Sequence, residues 1–269
     1  MQDNVDRAGE KYWTGVWENT ALPQPINIHD LSFKNFTNTE FHKFFDKLFI
    51  NQDLKDKSIL EIGCGNSVWL PYFAKQYGLK AFGIDYSELG CENSRKILER
   101  DGIDGIIYCA DAFVPSTDLI EKFDIVISMG VIEHFENLNH TISSFSKYVK
   151  KGGLLISTLP NNNGLLGWFQ KKLNKPIFDI HYIYDVSNIE NAYNQNHLSV
   201  IKSAYLVPIN LYVNLEPKNG KLPSGLKFKK IINKFLSLIN LVVWLVDSSI
   251  SRVKRTKKYS SAIAVVGLK

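Results

Sequence analysis

The chain has 269 residues, 45% hydrophobic and 22% charged, a globular composition that excludes a disordered chain and can bury a core without staples. Its net charge of +5 is uneven: residues 221–260 hold ten Lys and Arg against the single acid Asp247, a local +9 that leaves −4 on the rest. General nucleic-acid binding, the usual first reading of a basic protein, is thereby disfavoured.

Residues 1–57 read as a helical, aromatic-rich N-terminal lid. Tyr12, Trp13 and Trp17 cluster early, and Phe41, Phe44, Phe45, Leu48 and Phe49 recur at helical spacing. The polar run Met1–Arg7 has no apolar core, so no signal peptide is expected. From Ser58 to Thr158 short apolar runs alternate with helical stretches: strands over 58–62, 80–84, 106–109, 123–129 and 154–158, helices over 69–77, 88–100 and 141–149. That alternation predicts βαβ units, a parallel sheet and an α/β, doubly wound fold.

Beyond Pro160 an insert covers 161–184. A helix capped by Asp185 follows over 185–196, then a strand over 198–207 and a last strand within 261–269. The core is expected over 58–207 with 261–269, and a basic, apolar helical insertion over 208–260. No apolar run reaches the ~18–20 residues of a bilayer span; the closest, 235–246, is interrupted by Ser237 and Asn240. Three cysteines (Cys64, Cys91, Cys109) with no CxxC pair argue against a disulfide framework and against structural zinc, and suggest a cytoplasmic protein.

The chemistry concentrates at three strand ends. In Leu60-Glu61-Ile62-Gly63-Cys64-Gly65-Asn66-Ser67 two glycines let the backbone turn tightly and approach a ligand. The helix that follows offers free N–H groups to a pyrophosphate or a carboxylate. Asp85 ends the next strand, where a carboxylate can accept both hydroxyls of a ribose, and Asp111-Ala112 ends the third, beside a base site. Val68 occupies the position where a nicotinamide-binding fingerprint needs Gly or Ala, which disfavours an oxidoreductase.

These motifs, with Phe123-Asp124-Ile125-Val126-Ile127-Ser128-Met129-Gly130-Val131-Ile132-Glu133-His134 and the turn Lys150-Lys151-Gly152-Gly153, resemble class I S-adenosylmethionine (SAM)-dependent methyltransferases of the bacterial small-molecule and sugar type, with a UbiG-like motif set. The resemblance is close over about 57–160. It implies a Rossmann-like, mostly parallel seven-stranded sheet with a helical N-terminal lid and a helical insertion before the last strand. It implies SAM as cofactor and S-adenosylhomocysteine as product. Glu61, Gly63, Cys64 and Gly65 would line the methionine portion, Asp85 and Tyr86 the ribose, Asp111 and Ala112 the adenine, and Ser128 and Met129 the floor near the sulfonium. Many members carry a third glycine where this chain has Ser67, whose hydroxyl can cap or bind instead.

Methyl transfer to oxygen needs a general base. His134 is the first candidate and His181 the second, with Tyr12, Trp13, Trp17, Glu133 and Tyr182 as acceptor-binding residues; Tyr12, Trp13 and Trp17 fit plain helix packing equally well. No metal is expected from the ligand spacing. His29, His42, His140 and His197 read as surface or satisfied core histidines. The acceptor is expected to be a sugar or phosphoryl oxygen in capsule or O-antigen precursor synthesis; a lipid-like quinone precursor and a non-catalytic SAM-binding module are the alternatives. The basic insertion reads as a peripheral membrane contact over 221–258, as a lid or homodimer helix, or as a collector of a phosphate-bearing, nucleotide-linked acceptor.

Overall fold

A computed structural model describes residues 4–217 and 223–269. In chain order it contains α1 (Glu10–Glu18), α2 (Phe36–Phe49), β1 (Ser58–Ile62), α3 (Trp69–Tyr77), β2 (Lys80–Asp85), α4 (Glu88–Arg100), β3 (Gly105–Cys109) and β4 (Phe123–Met129). Then come α5 (Leu138–Ser146), β5 (Val149–Pro160), α6 (Leu165–Leu173), α7 (Lys175–Phe178), α8 (Val186–Gln195), β6 (Ser199–Leu206), α9 (Leu226–Ser249) and β7 (Ala262–Leu268). The sheet order is β3-β2-β1-β4-β5-β7-β6. The strands from β1 to β5 pair in parallel, and β7 runs antiparallel between β5 and β6.

The central strands are buried on both faces, which is why they read as unbroken apolar runs. Alternate residues serve opposite layers: Ile59 belongs to the layer of α2 and α3, Leu60 and Ile62 to the layer of α5 and α8. The switch from β3-β2-β1 to β4-β5 opens a crevice at the C-terminal strand ends, where ligands of such sheets bind.

Local chemistry sets the helix ends. Ser87 accepts the Gly90 N–H and starts α4, and Asp185 forms a capping box with Asn188 at α8. Two boundaries differ from the pattern reading. The helix expected over 141–149 begins earlier, because Asn137 caps it, and ends at Ser146 so that Val149 can pair with Phe123. Strand β5 is accordingly longer than 154–158.

The N-terminal 57 residues divide in two. Helix α1 lies over the crevice, where Thr14 meets Ser87. Helix α2 is part of the fold's outer layer: Phe45 is fully buried against Phe73, ring centroids 4.9 Å apart. Lys221 and the 218–222 part of the insertion lie outside the described residues.

The expectation of no membrane-length segment is corrected. Helix α9 has 24 residues and an 18-residue window of mean hydropathy 1.5, long and apolar enough to cross a bilayer by length and composition. The polar residues Ser237 and Asn240 that break the apolar run in sequence do not break the helix. Asn240 turns inward and accepts the Leu211 N–H at 2.8 Å.

Three cations of the +9 stretch are paired with acids. Arg255 bridges Asp247 (2.6 Å) and Glu40, Arg252 reaches both acids, and Lys257 pairs with Asp185. Burial pushes the Asp247 and Glu40 carboxyls up, but their cationic partners outweigh it and hold both below the usual range.

Candidate functional site

The β1–α3 turn needs glycine twice. Gly63 sits in the left-handed region (φ 73°), and a Cβ there would fall 2.5 Å from Val131 Cγ2. A Cβ on Gly65 would meet Asp85 Oδ2 and Trp17 Nε1, both at 2.9 Å. Ser67, the departure from the family pattern, has a defined task. Its hydroxyl lies 2.8 Å from each Glu61 oxygen, and its oxygen accepts the Trp69 N–H that opens α3. Burial raises the Glu61 pKa to about 8; the Ser67 bond opposes this and Asp85 adds to it.

Asp85 is buried at the end of β2. Its Oδ2 accepts the Gly65 N–H and its Oδ1 the Ser87 N–H, each at 2.8 Å. A carboxylate has about four acceptor positions, so roughly two remain for a diol. Beside it, Tyr86 donates its hydroxyl to Asp6 at 3.0 Å.

Two joined cavities flank Asp85 and share Asp6, Gly63, Tyr86, Val131 and Phe135. The larger, about 550 Å³, reaches Asp111, Ala112, Phe113 and His140. Phe113 and His140 stack within 3° of parallel. The smaller, about 220 Å³, is lined by Glu61, Gly65, Met129 and His134 under Trp13 and Trp17. Those indoles stack 5.5 Å apart, and Trp17 Nε1 is buried without a partner. Among the described lining residues there are five acids (Asp6, Glu10, Glu61, Asp85, Asp111) and no Lys or Arg. Such walls suit a nucleoside carrying positive charge and repel a diphosphate, so the residues present fit SAM.

His134 is almost fully buried in the smaller cavity. Its Nδ1 meets the Ile180 carbonyl at 3.0 Å, and Trp13 packs edge-on against the ring. Burial lowers its pKa to about 4 while the Ile180 and Gly130 carbonyls pull upward, so the ring is neutral. His181 lies 4.8 Å away, ring to ring, brought there by the 161–184 insert. Glu133 is buried with Oε2 unpartnered, and burial raises its pKa to about 8. The expectation of no metal rested on spacing along the chain; the fold nevertheless brings ligand-type atoms of Glu133, His134 and His181 within 4.8 Å of one another.

Several expected site residues stand elsewhere. Ser128 is fully buried and faces Ser157 (3.3 Å), which takes the Tyr193 hydroxyl, so its side chain belongs to a buried polar chain behind the crevice. Cys64 is fully buried, with its sulfur packed toward Gly83. Tyr12 packs edge-on against Trp13 and lines neither cavity; burial raises its pKa to about 12. The Tyr182 ring lies 3.6 Å under the Arg7 guanidinium, outside both cavities, and only its N–H reaches the Glu133 carbonyl.

Residues missed in sequence include Asp6, Glu10, Phe113, Phe135 and His140. Of these only Phe113, two places after Asp111, carried a positional signal.

A third cavity of about 300 Å³ shares Met129 and Gly130 with the second. It is walled by Phe41, Leu159 and Tyr212 with the uncharged polar groups of Thr37, Thr158, Asn210 and Ser261. It opens at the C-terminal ends of β4 and β5.

A family model described as a methyltransferase domain matches residues 33–203. The chain is similar to protein arginine N-methyltransferase 8-B of Danio rerio, 29% identical over 135 residues, 48% of this chain and 32% of that protein. It is similar to ubiquinone biosynthesis O-methyltransferase of Coxiella burnetii, 28% identical over 110 residues, 41% of this chain and 46% of that protein. The chain thus spans less than half the length of either curated relative. Geranyl diphosphate C-methyltransferase from Streptomyces coelicolor A3(2) shares the fold, with a TM-score of 0.59 at 12% identity over 96% of this chain and 97% of that one.

Proposed function

The chain belongs to the methyltransferase-domain family of class I SAM-dependent enzymes, and on that premise we propose that it methylates a sugar hydroxyl in the assembly of a bacterial capsule or O-antigen precursor. The third cavity carries this reading. Its aromatic and apolar walls suit the face of a sugar ring, and its hydroxyl and amide groups suit the ring's substituents. The same cavity has no Lys or Arg among its described lining residues. That favours a sugar hydroxyl over a phosphoryl oxygen.

When bound, SAM supplies an electrophilic methyl group whose leaving group departs neutral, so the protein's tasks are orientation, dryness and proton removal. In this reading Asp85 takes the ribose hydroxyls, Asp111 and Ala112 face the base, and Glu61 meets the ammonium. Trp13 and Trp17 exclude water. His134, its Nδ1–H directed at the Ile180 carbonyl, keeps the Nε2 lone pair for the acceptor proton as the new C–O bond forms.

Glu61 gives a pH signature. Free Glu61 is largely protonated below about pH 8, while pairing with an ammonium requires the carboxylate. Binding therefore releases a proton below that pH, and SAM affinity should rise with pH, by up to about tenfold per unit, until the α-ammonium of SAM itself begins to titrate near about 8. Calorimetry from pH 6 to 9 checks this. Glu61→Gln should bind more weakly with a flat profile; a sloping profile in that variant removes Glu61 as the titrating group.

Replacing His134 by Gln preserves most of its volume and removes the base. Turnover should fall about 10²–10³-fold with SAM affinity within about twofold. Unchanged turnover would transfer the role to His181. The acceptor is tested by product formation with nucleotide-linked sugars, polyprenyl-linked sugars and a hydroxylated polyprenyl phenol. Turnover confined to the phenol overturns the sugar reading, and SAM binding without turnover on any acceptor overturns the enzymatic one. The phenol keeps a place because of the apolar outer face of α9.

A further inference from the structure

Helix α9 has two unlike faces. The inner face mixes hydrogen-bonded polar groups with apolar side chains that pack on the protein. Asn240 accepts the Leu211 N–H, Asn233 exchanges bonds with Val213 (2.7 and 3.3 Å), and Asp247 holds the Val253 N–H at 2.7 Å. Between them Leu236 is buried with Leu173, Leu211 and Val213. The outer face bears Phe228, Ile231, Phe235, Leu238, Val242 and Leu245, 45–66% exposed. Their spacing of three and four residues alternates without a break, so they form one stripe about 25 Å long at 1.5 Å per residue. No element of the described chain covers it.

The charges select the occupant. The exposed lysines Lys227, Lys230 and Lys234 lie at or beside the stripe's N-terminal half, and Lys254 is exposed beyond the C-terminal end. The helix has one acid, Asp247, and it is on the inner face, buried and paired. A second copy of α9 would meet this stripe with the same charges and no acid to answer them. An anionic lipid surface offers both an apolar layer and negative headgroups.

We propose that the outer face of α9 lies in the interface of an anionic phospholipid bilayer. The helix lies on the membrane and does not cross it. Crossing would carry Asn233, Asn240 and the Asp247–Arg255 pair, with the backbone segment they hold, into hydrocarbon. The held segment, residues 210–213, contributes Asn210 and Tyr212 to the third cavity. Docking therefore sets that cavity's wall against the side of α9 away from the lipid.

The test is flotation of the full chain with vesicles of phosphatidylcholine alone and of phosphatidylcholine with phosphatidylglycerol in equal parts. Flotation is expected with the anionic vesicles and should fall at least tenfold in 0.5 M salt. Phe235→Ser with Leu238→Ser should abolish it, and Lys227→Glu with Lys230→Glu and Lys234→Glu should lower it at least tenfold. Both variants should bind SAM like the parent, which shows that they fold and separates this proposal from the methyltransferase reading. Absence of flotation on anionic vesicles overturns it, as does equal flotation on neutral ones. A dimer in sedimentation velocity that the serine pair dissociates would assign the stripe to a second copy and overturn it too.

Discussion

Replacing Asp85 by Ala should weaken SAM binding about 10²–10³-fold. The carboxylate accepts two backbone N–H groups and has two acceptor positions left for a ribose diol. Hydrogen bonds to a charged acceptor contribute about 1.5–3 kcal/mol each, so losing two near the lower end of that range costs on the order of 3–4 kcal/mol of affinity. The variant also strands the Gly65 and Ser87 N–H groups, so the β1–α3 turn should loosen and the free protein should melt earlier. Calorimetry with SAM beside a thermal scan separates the two effects. Affinity within threefold of the parent would remove Asp85 from the cofactor site.

The second large effect lies away from the crevice. Asp247→Ala should cost about 3 kcal/mol of stability, within the range for removing one partner of a buried ion pair. The Asp247 side chain is 1% exposed and holds Arg255, while the half-exposed Arg252 adds little. Without it Arg255 faces only Glu40, and the Val253 N–H loses its acceptor. For a chain of this size the melting temperature should drop by about 6–12 °C. SAM affinity measured well below the transition should not change. A drop under 2 °C would show that the cluster is solvated in solution.

The sheet and the residues at its C-terminal strand ends were legible because each signal was local. Alternating apolar runs, Gly63 and Gly65, Asp85 and Asp111 mark strands and strand ends wherever the chain later goes. What escaped was made by elements distant in sequence. Asp6 and Glu10 reach the wall of the larger cavity only because α1 folds back over α4, and nothing in Asp6-Arg7-Ala8-Gly9-Glu10 announces a ligand. His140 is at the surface, as one of the two sequence readings had it, but its stacking on Phe113 and its place in the larger cavity had no local signal. Ser128 misled for the opposite reason. It stands at the expected strand end, but the period-two alternation of β4 sends its side chain through the sheet toward Ser157 and Tyr193. The charge count also could not show that Arg255 and Lys257 pair with Glu40 and Asp185, which lie outside the basic segment.

The position of β7 bears on how the molecule is made. It is the last strand in chain order, yet it fills the gap between β5 and β6 and supplies the hydrogen bonds of both inner edges. Until it arrives, β6 has no strand to pair with and the half-sheet ending at β5 keeps an open edge. Residues 207–261, α9 included, must come off the ribosome first. Assembly of this half of the sheet is therefore a late event with a long loop to close. During that wait two bare strand edges and the apolar outer face of α9 are exposed together, an arrangement prone to pairing with other chains. A nascent chain whose α9 has already settled on a lipid surface would spend that interval with its stripe covered and its concentration in free solution reduced.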